Sequence, residues 1–385
     1  MELEKFIDVI NIPVYGVTNK LEYFDISDDL NKYNKDNPLE FCSDMTKERL
    51  SSNSVLKDVK SIITILIPYE LESNISRNDV VDIVSIVSNN AWEIDYHSQL
   101  KEKLLQIAEY LRSFFDDLEY ECVVDTSPLI DRRIAYECSL GCYGKNTFLI
   151  NETLGTAFYI GSLLVNKRLS QINILKAENI EYNTPKEISN KKNLYRNCSI
   201  CADCDLCVKH CPGNALDGKY TIDSNKCISY LTQKKGILSY DERKLISNRL
   251  YGCDICQKVC PYNNTDFEIA KEYRRTSSNV VDAIELIKTS NKQLRKIYRT
   301  SGFIWRGPNI LKRNALINIG NSKNKYGLKF LTDYYFELSI DNRLYGLWAI
   351  YNINVDDFRA FIENNDDRFS DKEKIEVEKL FNINS

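Results

Sequence analysis

The sequence predicts an α+β protein built from three consecutive parts, and three observations lead to this prediction. The first 165 residues alternate strand-like and helix-like patterns, most of the 13 cysteines fall between residues 198 and 260, and the pattern after Phe267 is helical. At 385 residues the chain is too long for one ordinary hydrophobic core, which favours two or three domains. We therefore expect an α/β part, a cysteine-rich part and an α-helical part, in that order.

The first part is predicted to contain three strands and a long helix. An unbroken apolar run, SIITILIPY, predicts a buried strand that ends at Pro68. Shorter strands are predicted within ECVVDTSP at Glu121–Pro128 and GTAFYIGSLLV at Gly155–Val165. The helix is predicted at His97–Phe115, where apolar side chains recur on one face: Leu100, Leu104, Ala108, Leu111 and Phe115. This alternation is typical of an α/β segment.

Two similar segments suggest helical repeats in the third part. LKRNALINIGN at Leu311–Asn321 and DNRLYGLWAIYN at Asp341–Asn352 each place an arginine, Arg313 or Arg343, before small and apolar residues on a helical period. Stacked helix-pair repeats of the HEAT kind have this pattern. Two unrelated amphipathic helices would look similar, so both interpretations stay open at this point.

The composition is that of a folded globular protein, and the N-terminal sequence predicts the cellular compartment. Apolar residues make up 43% and charged residues 28%, and no apolar run approaches the roughly twenty residues of a membrane-spanning helix. The first ten residues, MELEKFIDVI, carry acids where a secretory signal has a basic region. We therefore expect a cytoplasmic protein without membrane contact, whose cysteines bind metal or take part in catalysis and do not form disulfides.

The cysteine-rich part contains two closely spaced runs. The first, CADCDLCVKHCP, has the Cys-x2-Cys-x2-Cys-x3-Cys-Pro spacing of bacterial ferredoxins, in which the first three thiolates bind one 4Fe-4S cluster and the fourth binds the other. The second, CDICQKVCP, follows with Cys-x2-Cys-x3-Cys-Pro, and Cys227 lies between the runs. These eight cysteines suit two clusters. The first cysteine set is Cys201, Cys204, Cys207 and Cys260. The second cysteine set is Cys211, Cys227, Cys253 and Cys256.

Zinc is the competing interpretation of these runs, because zinc ribbons also use Cys-x2-Cys pairs. A zinc ion takes four ligands, however, and has no use for the longer ferredoxin string. Cys198 extends the first run by one more step, and the distance to the Cys211–Pro212 step selects Cys201 as the first ligand instead. The cysteines outside this part are interpreted as buried apolar side chains: Cys42, Cys122, Cys138 and Cys142.

A basic segment opens the helical part. The net charge of −4 argues against general electrostatic attraction to nucleic acid, yet Lys292–Arg313 contains seven basic residues and no acidic one. Aromatic side chains (Tyr298, Phe303, Trp305) are interleaved among them. A solvated helix face followed by a loop explains the pattern as well as a nucleic-acid contact does.

Val123–Ile150 combines a strand end, an acidic turn and a glycine-rich loop, with Asp131 and Arg132 opening a predicted helix. Neither a Walker lysine motif nor a Rossmann fingerprint is present, so phosphate-binding and nicotinamide-binding functions lack support. Five motifs of this chain resemble those of the epoxyqueuosine reductase family. In order along the chain they are DYH at Asp95–His97, VDT…DR…GKNT, CISYLT, RLYGCDICQKVCP and SGFIWRG…KRNALINIGN. The resemblance covers nearly the whole chain, and the set of motifs is specific where a single member would not be.

This resemblance implies a cobalamin-dependent enzyme that reduces the epoxide of epoxyqueuosine to the cyclopentene of queuosine at the wobble position of tRNA. Removing the epoxide oxygen as water takes two electrons and two protons, which fits cobalamin reduced through two 4Fe-4S clusters beside an acid. By the family pattern the acid is Asp125, desolvated at a strand end against the corrin. An Asx turn or helix cap before Pro128 is the structural alternative for Asp125.

The resemblance also implies binding residues and domain boundaries. We expect a cobalamin-binding α/β catalytic domain (1–192), a bacterial ferredoxin-like domain with two 4Fe-4S clusters (193–267) and a HEAT-like helical tRNA-binding domain (268–385). The residues implied at the cobalamin are Arg49, Ser88, Asp125, Leu149, Ile160, Ser229, Cys253 and Asp254, with Tyr96 and His97 bordering the pocket. The residues implied to contact the anticodon stem-loop are Lys234, Lys235, Trp305, Arg306, Lys312 and Arg313.

The chain also departs from the family pattern. Leu21–Phe41 lacks the glycine-rich entry loop, Arg49 is not followed by the usual proline, and CADC and CPGNAL replace Cys-Gly-x-Cys and Cys-Pro-Thr-Gly-Ala. The predicted linker Asn166–Asn197 is longer than is typical of the family. The predicted cluster ligands are unchanged, whereas a paralogue that acts on another substrate stays open.

Two other functions compete with this one. A reductive dehalogenase would share cobalamin and iron–sulfur clusters but act on small organohalides, and the basic helical part counts against it. A ferredoxin-type electron carrier or corrinoid-handling protein would have no need of Asp125 or of the basic segment. We expect a monomer that receives electrons from an external low-potential donor.

Overall fold

The computed structural model describes residues 3–36, 46–71, 82–92, 95–125, 127–169, 201, 203–263 and 278–382. Within them the strands are β1 Val14–Thr18, β2 Ser61–Pro68, β3 Val84–Val87, β4 Tyr120–Val123, β5 Cys142–Tyr143, β6 Leu149–Ile150, β7 Phe158–Val165, β8 Arg249–Tyr251 and β9 Val280–Asp282. The α-helices are α1 Leu3–Val9, α2 Ser27–Asp36, α3 Thr46–Arg49, α4 Asn89–Trp92, α5 Tyr96–Arg112, α6 Asp131–Glu137, α7 Leu206–Lys209, α8 Ile228–Leu231, α9 Tyr240–Ile246, α10 Ile255–Lys258, α11 Ala283–Lys288, α12 Asn291–Ile297, α13 Pro308–Ser322, α14 Lys325–Tyr334, α15 Ile340–Ile353, α16 Val355–Glu363 and α17 Asp371–Phe381. The predicted α+β class is confirmed.

The chain folds into two compact units. The first unit comprises Met1–Leu71, Ile94–Asn225 and Ile255–Arg275, and the second comprises Glu72–Glu93, Lys226–Asp254 and Thr276–Ser385. The predicted cysteine-rich domain is therefore shared between the units, because residues 226–254 belong to the second. The boundaries of the three predicted domains are based on sequence motifs, whereas the two units are defined by how compactly their residues pack. The three domains therefore stay a prediction.

A four-stranded sheet forms the centre of the first unit. Its strand order is β1-β2-β7-β4, and every neighbouring pair is antiparallel. All eight residues of β2 are buried, because the apolar run packs both faces of the strand. Ile63, Ile65 and Ile67 lie in one hydrophobic cluster, while Ile62 and Leu66 lie in another. The predicted buried strand ending at Pro68 is confirmed.

Helix α5 covers one face of this sheet. The side chain of its N-cap residue Asp95 accepts a hydrogen bond from the backbone N–H of His97, which satisfies a helix-end donor. Its buried stripe is Leu100, Leu104, Ile107, Ala108 and Leu111. The predicted helix is confirmed except at its end, where Phe115 lies beyond Arg112 in the turn that follows. Burying each large apolar side chain contributes about 1.5–3 kcal/mol, so the stripe fixes the helix on the sheet.

The second unit is mainly helical but contains a small sheet. Strand β3 pairs in parallel with β8 and antiparallel with β9, so the prediction of an entirely helical pattern after Phe267 is wrong at Val280–Asp282. The three residues of β9 are too few for periodicity to reveal. Helices α13 and α15 pack closely, because a Cβ on Gly320 would lie 2.8 Å from the ring of Trp348. Among the described helices, none is long and apolar enough to cross a membrane.

Candidate active site and metal centres

The first cysteine set lines a single cavity in the first unit. Cys201, Cys207 and Cys260 are buried and Cys204 is half-buried. The residues that line it, within the described part of the chain, are Lys145, Asn146, Ile150, Cys201, Cys204, Leu206, Cys207, Cys260, Pro261 and Tyr262. All four cysteines are free thiols. Their place in one cavity means that the tertiary structure brings together the four cysteines that the spacing assigned to one cluster.

Short turns and buried amides hold these cysteines in place. Cys207 lies within the one-turn helix α7, and Cys260 follows α10 with its backbone N–H bonded to the carbonyl of Gln257 at 3.0 Å. Asn263 donates from Nδ2 to the same carbonyl at 2.6 Å, and its Oδ1 accepts the backbone N–H of Thr156 at 2.6 Å. The second Cys-Pro step is thereby attached to the loop before β7.

The thiols of this cavity lie in one another's electrostatic field. Burial raises the pKa of Cys207 to about 11, and Cys201, Cys260 and Cys204 add to the rise. Burial likewise raises the pKa of Cys260. Iron binding must therefore displace protons from these thiols. Among the described residues no three His, Cys, Asp or Glu side chains are placed to hold one metal ion.

The second cysteine set is divided between the two units. Cys211 and Cys256 belong to the first unit and Cys227 and Cys253 to the second, and all four are half-buried. The sulfur of Cys211 accepts the backbone N–H of Ala215 at 3.3 Å. Cys227 is the N-cap residue of α8. The assignment of this set to one cluster stays a proposal.

Three cysteines outside these sets can be compared with the prediction of buried apolar side chains. Cys138 is buried and Cys122 half-buried, and burial raises the pKa of each thiol, to about 12 and about 11 respectively. Cys142 is half-buried but disulfide-bonded, so the expectation of free thiols is wrong for this residue. Cys42 and Cys198 lie outside the described residues.

Asp125 lies two residues beyond the end of β4 and presents its carboxyl group to solvent. Its backbone has a φ of 51°, a conformation that non-glycine residues adopt rarely, and its side chain is 66% exposed. The hydroxyl of Tyr96 donates to Asp125 Oδ2 at 2.8 Å, and Nε2 of His97 lies 3.8 Å from the same oxygen. Nδ1 of His97 lies 2.5 Å from Oδ1 of Asp95. The DYH motif and the predicted acid therefore form one polar cluster.

Aromatic rings support this cluster. The ring of Tyr96 stacks on Tyr159 of β7 with centroids 4.4 Å apart, and Tyr159 in turn lies 4.7 Å from the ring of Tyr69. Burial raises the pKa of Tyr96 strongly, with Asp125 adding to the rise, so the phenol keeps its proton and acts as a donor. The arrangement is an exposed carboxyl group beside an aromatic wall.

Asp131 is a second acid at this site, and the sequence analysis gave it no functional role. Its Oδ2 accepts the backbone N–H of Asp125 at 3.1 Å, while its Oδ1 is buried without a hydrogen-bond partner among the residues that the structure describes. Burial and the charge of Asp125 raise the pKa of Asp131 to about 7, against a smaller opposing effect of Arg132. Its position at the start of a predicted helix was the only sequence signal, and burial cannot be seen in a sequence.

Three of the other predicted cobalamin residues lie in the first unit. Arg49 is half-buried at the end of α3. Leu149 is 1% exposed and belongs to the hydrophobic core, and Ile160 is half-buried against that same core. The side chain of Leu149 thus has the structural role of a core residue, and any contact with a cofactor would have to use its backbone.

The remaining four lie in the second unit and are brought together around Gly252. Gly252 has a φ of 70°, and an added Cβ would lie 2.1 Å from Oγ of Ser88. Its N–H donates to Thr232 Oγ1 at 2.9 Å, and that hydroxyl donates to the carbonyl of Ser229 at 2.9 Å. Cys253 follows directly. The buried carboxylate of Asp254 accepts the backbone N–H of Asn89, next to Ser88, at 2.8 Å.

The predicted tRNA residues differ sharply in exposure. Lys235 and Trp305 are exposed, whereas Lys234 is half-buried and paired with Glu242 at 2.8 Å. Nε1 of Trp305 donates to the hydroxyl of Tyr251 at 2.5 Å, which fixes one edge of an indole that is 53% exposed. The guanidinium of Arg306 lies 4.8 Å from the centroid of the Trp305 ring.

Arg313 and Lys312 are less accessible than predicted. Arg313 is 4% exposed, and its guanidinium donates to the carbonyls of Leu231, Thr232 and Lys234 at 3.2, 3.3 and 2.6 Å. The prediction that Arg313 contacts phosphate is therefore corrected: this residue holds the loop after α8. Lys312 is half-buried, and burial lowers its pKa.

The cavity lined by four thiols, the ferredoxin spacing and the mixed fold define an iron–sulfur protein. A family model described as "4Fe-4S double cluster binding domain" matches residues 200–263, and one described as "Epoxyqueuosine reductase QueG, DUF1730" matches residues 49–126. The epoxyqueuosine reductase of Staphylococcus aureus (strain NCTC 8325 / PS 47) is 32% identical over 81% of this chain and 77% of its own length. That of Lactococcus garvieae (strain Lg2) is 31% identical over 74% and 76%. The chain belongs to the epoxyqueuosine reductase family.

Solved structures agree with this assignment. A crystal structure of selenomethionine-labelled epoxyqueuosine reductase is 26% identical, covers 98% of this chain and 96% of its own, and superposes with a TM-score of 0.84. A crystal structure of epoxyqueuosine reductase with a tRNA-Tyr epoxyqueuosine-modified tRNA stem loop has a TM-score of 0.82 at 24% identity and covers 98% and 96%. The second of these shares the fold, and its bound stem loop is a property of that protein.

Proposed function

We propose that this chain reduces epoxyqueuosine to queuosine in tRNA, using electrons that pass through two 4Fe-4S clusters and a proton from Asp125. The reaction breaks both C–O bonds of the epoxide, forms a carbon–carbon double bond and releases the oxygen as water. It consumes two electrons, from an external low-potential donor, and two protons. The observation that carries this proposal is the exposed Asp125 carboxyl group held by Tyr96 in a chain that also gathers four thiols around one cavity.

Asp125 is suited to move a proton. It is exposed, so a bound substrate can reach it, and the Tyr96 hydroxyl orients one carboxylate oxygen while the other stays available. Asp131 accepts the Asp125 backbone N–H and thereby helps hold a backbone conformation that would otherwise be unfavourable. In this proposal Asp125 donates to the departing oxygen and Tyr96 stabilises the carboxylate that remains.

Cobalamin is the cofactor that the family implies, and the residues near Asp125 fit a large ring system. An exposed acid next to the stacked rings of Tyr96 and Tyr159 offers a polar group beside an aromatic surface. Ile160 follows Tyr159 on β7 and packs against the other hydrophobic cluster. We propose that Arg49, Leu149 and Ile160 of the first unit contact it. Ser88, Ser229, Cys253 and Asp254 stay predictions from the family resemblance. When bound, it would supply a strongly nucleophilic two-electron reductant, whereas each 4Fe-4S cluster delivers one electron at a time.

The tRNA substrate is proposed to bind exposed basic residues of the helical part. Lys292, Arg295, Lys296 and Arg299 are all exposed, and they form what we name the basic strip. Lys235, Trp305 and Arg306 extend this surface, since an exposed indole can stack on a base and a guanidinium can contact phosphate. Helices α13 and α15, each with an arginine that donates to backbone carbonyls, are proposed to be HEAT-like repeats.

A direct assay tests this function. Protein purified anaerobically and reconstituted with iron, sulfide and cobalamin would be incubated with a chemical reductant and epoxyqueuosine-containing tRNA, and the nucleosides would be measured by mass spectrometry. We expect queuosine to form, and Asp125→Asn to lower the rate about 10²–10⁴-fold. Asp58→Asn is the matched control, because Asp58 is also an exposed aspartate with positive φ.

Two results would redirect the proposal. Halide release from organohalides without queuosine formation would favour a reductive dehalogenase, and full activity in Asp125→Asn would remove the proposed acid. Iron analysis provides a separate test, since two 4Fe-4S clusters require about eight irons per chain. A markedly lower content after reconstitution would contradict the assignment of the two cysteine sets.

A further inference from the structure

Lys145 places a half-buried positive charge at the cluster cavity. It belongs to the loop that joins β5 and β6, and it lines the cavity together with the first cysteine set. Its side chain is 11% exposed, which is unusual for a lysine, and its Nζ lies 2.7 Å from Oδ1 of Asp205. A charge that is half-buried beside the four thiols of the first cysteine set acts on whatever those thiols bind.

The loop that carries Lys145 is held firmly by its own hydrogen bonds. The N–H of Gly144 donates to the carbonyl of Phe148 at 2.8 Å, and Oδ1 of Asn146 accepts the N–H of Phe148 at 3.2 Å. A Cβ on Gly144 would lie 2.8 Å from that same Asn146 oxygen, so glycine is needed there. Lys145 is therefore presented by a constrained loop and not by a flexible one.

Asp205 occupies an equally defined position. It lies between the ligands Cys204 and Cys207 and is the N-cap residue of α7, yet its side chain makes no capping hydrogen bond. Its carboxylate pairs with Lys145 instead, and its side chain is 47% exposed. Since an N-cap aspartate commonly satisfies a helix N–H, the ion pair has taken the place of the cap.

We propose that the Lys145–Asp205 ion pair sets the reduction potential of the 4Fe-4S cluster bound by the first cysteine set. Reduction adds one negative charge to the cluster, so a nearby positive charge favours the reduced state and a nearby negative charge opposes it. Lys145 is the more buried partner and is less screened by water, so its effect exceeds that of Asp205. The pair thus makes this cluster easier to reduce by the external donor.

This inference rests on the proposed iron–sulfur function, and potentiometry tests it without substrate or cobalamin. The reconstituted holoprotein would be titrated electrochemically and the reduced clusters followed by electron paramagnetic resonance. At a fixed potential, we expect Lys145→Gln to lower the ratio of reduced to oxidised protein for one cluster about tenfold. For a one-electron couple, a tenfold change in this ratio corresponds to a shift of about 59 mV in the reduction potential. Asp205→Asn should shift the same cluster in the opposite direction by about threefold.

The opposite signs are the decisive feature. Loosening of the loop or greater access of water would shift both variants in the same direction, and that result, or the absence of any shift, would overturn the proposal. Lys145→Arg keeps the charge and should stay close to the unaltered protein. If Lys145→Gln fails to bind the cluster, the Asp205→Asn and Lys145→Arg titrations still decide between the outcomes.

Two controls complete the experiment. The second cluster is an internal reference, because its reduction should move far less than that of the first. Lys167→Gln removes the lysine of another ion pair in the same unit, formed with Asp117 at 2.6 Å and outside the cavity lining, and should leave both potentials unchanged. An iron content well below eight per chain would contradict the proposed function, whereas full clusters without opposite shifts would contradict this inference alone.

Discussion

The hydroxyl of Tyr96 donates a hydrogen bond of 2.8 Å to Oδ2 of Asp125, although 29 residues separate the two in the chain. Tyr96 begins α5 and Asp125 follows β4, so the contact exists only because the helix packs on the sheet. Burial keeps the phenol protonated, and the stacked ring of Tyr159 limits its movement. This pair is the part of the site that orients the proposed acid.

Replacing Tyr96 with phenylalanine should therefore lower the catalytic rate while leaving the clusters intact. The variant keeps the ring that stacks on Tyr159 and loses the hydroxyl alone. Loss of one orienting hydrogen bond of about 1.4 kcal/mol corresponds to about a tenfold lower kcat. Queuosine formation under single-turnover conditions measures this effect. Tyr136→Phe serves as the control, since that ring lies against Tyr143, and an unchanged rate in Tyr96→Phe would show that Asp125 needs no such support.

Asp131 should make the stability of the protein depend on pH. Its pKa in the folded chain is about 7, above the ordinary value of 3.8, because its carboxyl group is buried. Between these two pH values the unfolded chain has released the proton while the folded chain keeps it, so stability falls as pH rises through this window. Above about pH 7 the full destabilisation, on the order of a few kcal/mol, is present.

Asp131→Asn removes this dependence, because the amide cannot ionise and its oxygen can still accept the Asp125 N–H. The variant should exceed the unaltered protein in stability by an amount that is small near pH 4 and grows to its maximum above pH 7. Thermal unfolding across this range measures the difference, with Asp58→Asn as an exposed control. A difference that does not vary with pH would show that the buried carboxyl group is not the cause.

The basic strip should contribute to tRNA affinity through charge alone. Lys292→Glu combined with Lys296→Glu reverses two exposed charges on α12 and should weaken binding of the anticodon stem-loop, most strongly at low salt. The slope of log affinity against log salt should become shallower by about 0.7–0.9 for each phosphate that the variant no longer neutralises. Lys372→Glu with Lys374→Glu on α17 is the matched control, and equal effects from the two pairs would mean that only net charge matters.

Arg313 should behave in the opposite way, as a stabilising residue. Its buried guanidinium donates to the backbone carbonyls of Leu231, Thr232 and Lys234 at the end of α8 and just beyond it, and removing it takes one donor from each of these oxygens. Arg313→Gln should lower the free energy of unfolding by about 3 kcal/mol. Denaturant unfolding measures this loss. If Arg313→Gln is as stable as the unaltered protein but binds tRNA more weakly, then Arg313 contacts tRNA, as the sequence predicted.

Arg313 also illustrates what local sequence can reveal. Its position in a basic segment predicts an exposed charge. The sequence pattern does not show which buried groups the side chain will contact in the folded chain. The same limit applies to Asp131 and Lys145, whose functional interest comes from burial next to residues distant in the chain. By contrast, the spacing of Cys201, Cys204 and Cys207 specifies their convergence directly, since neighbouring ligands need only a short turn.

The cysteine spacing, the buried strand β2, the amphipathic helix α5 and the family motifs could all be derived from the order of the residues, because each depends on contacts a few positions apart or on a fixed period. The tertiary structure alone decided which distant groups meet. It placed Tyr96 against Asp125 and Lys145 against Asp205, whereas the grouping of Cys260 with the first cysteine run is predicted from the spacing. These pairings depend on how strands and helices pack, and packing is a property of the whole folded chain.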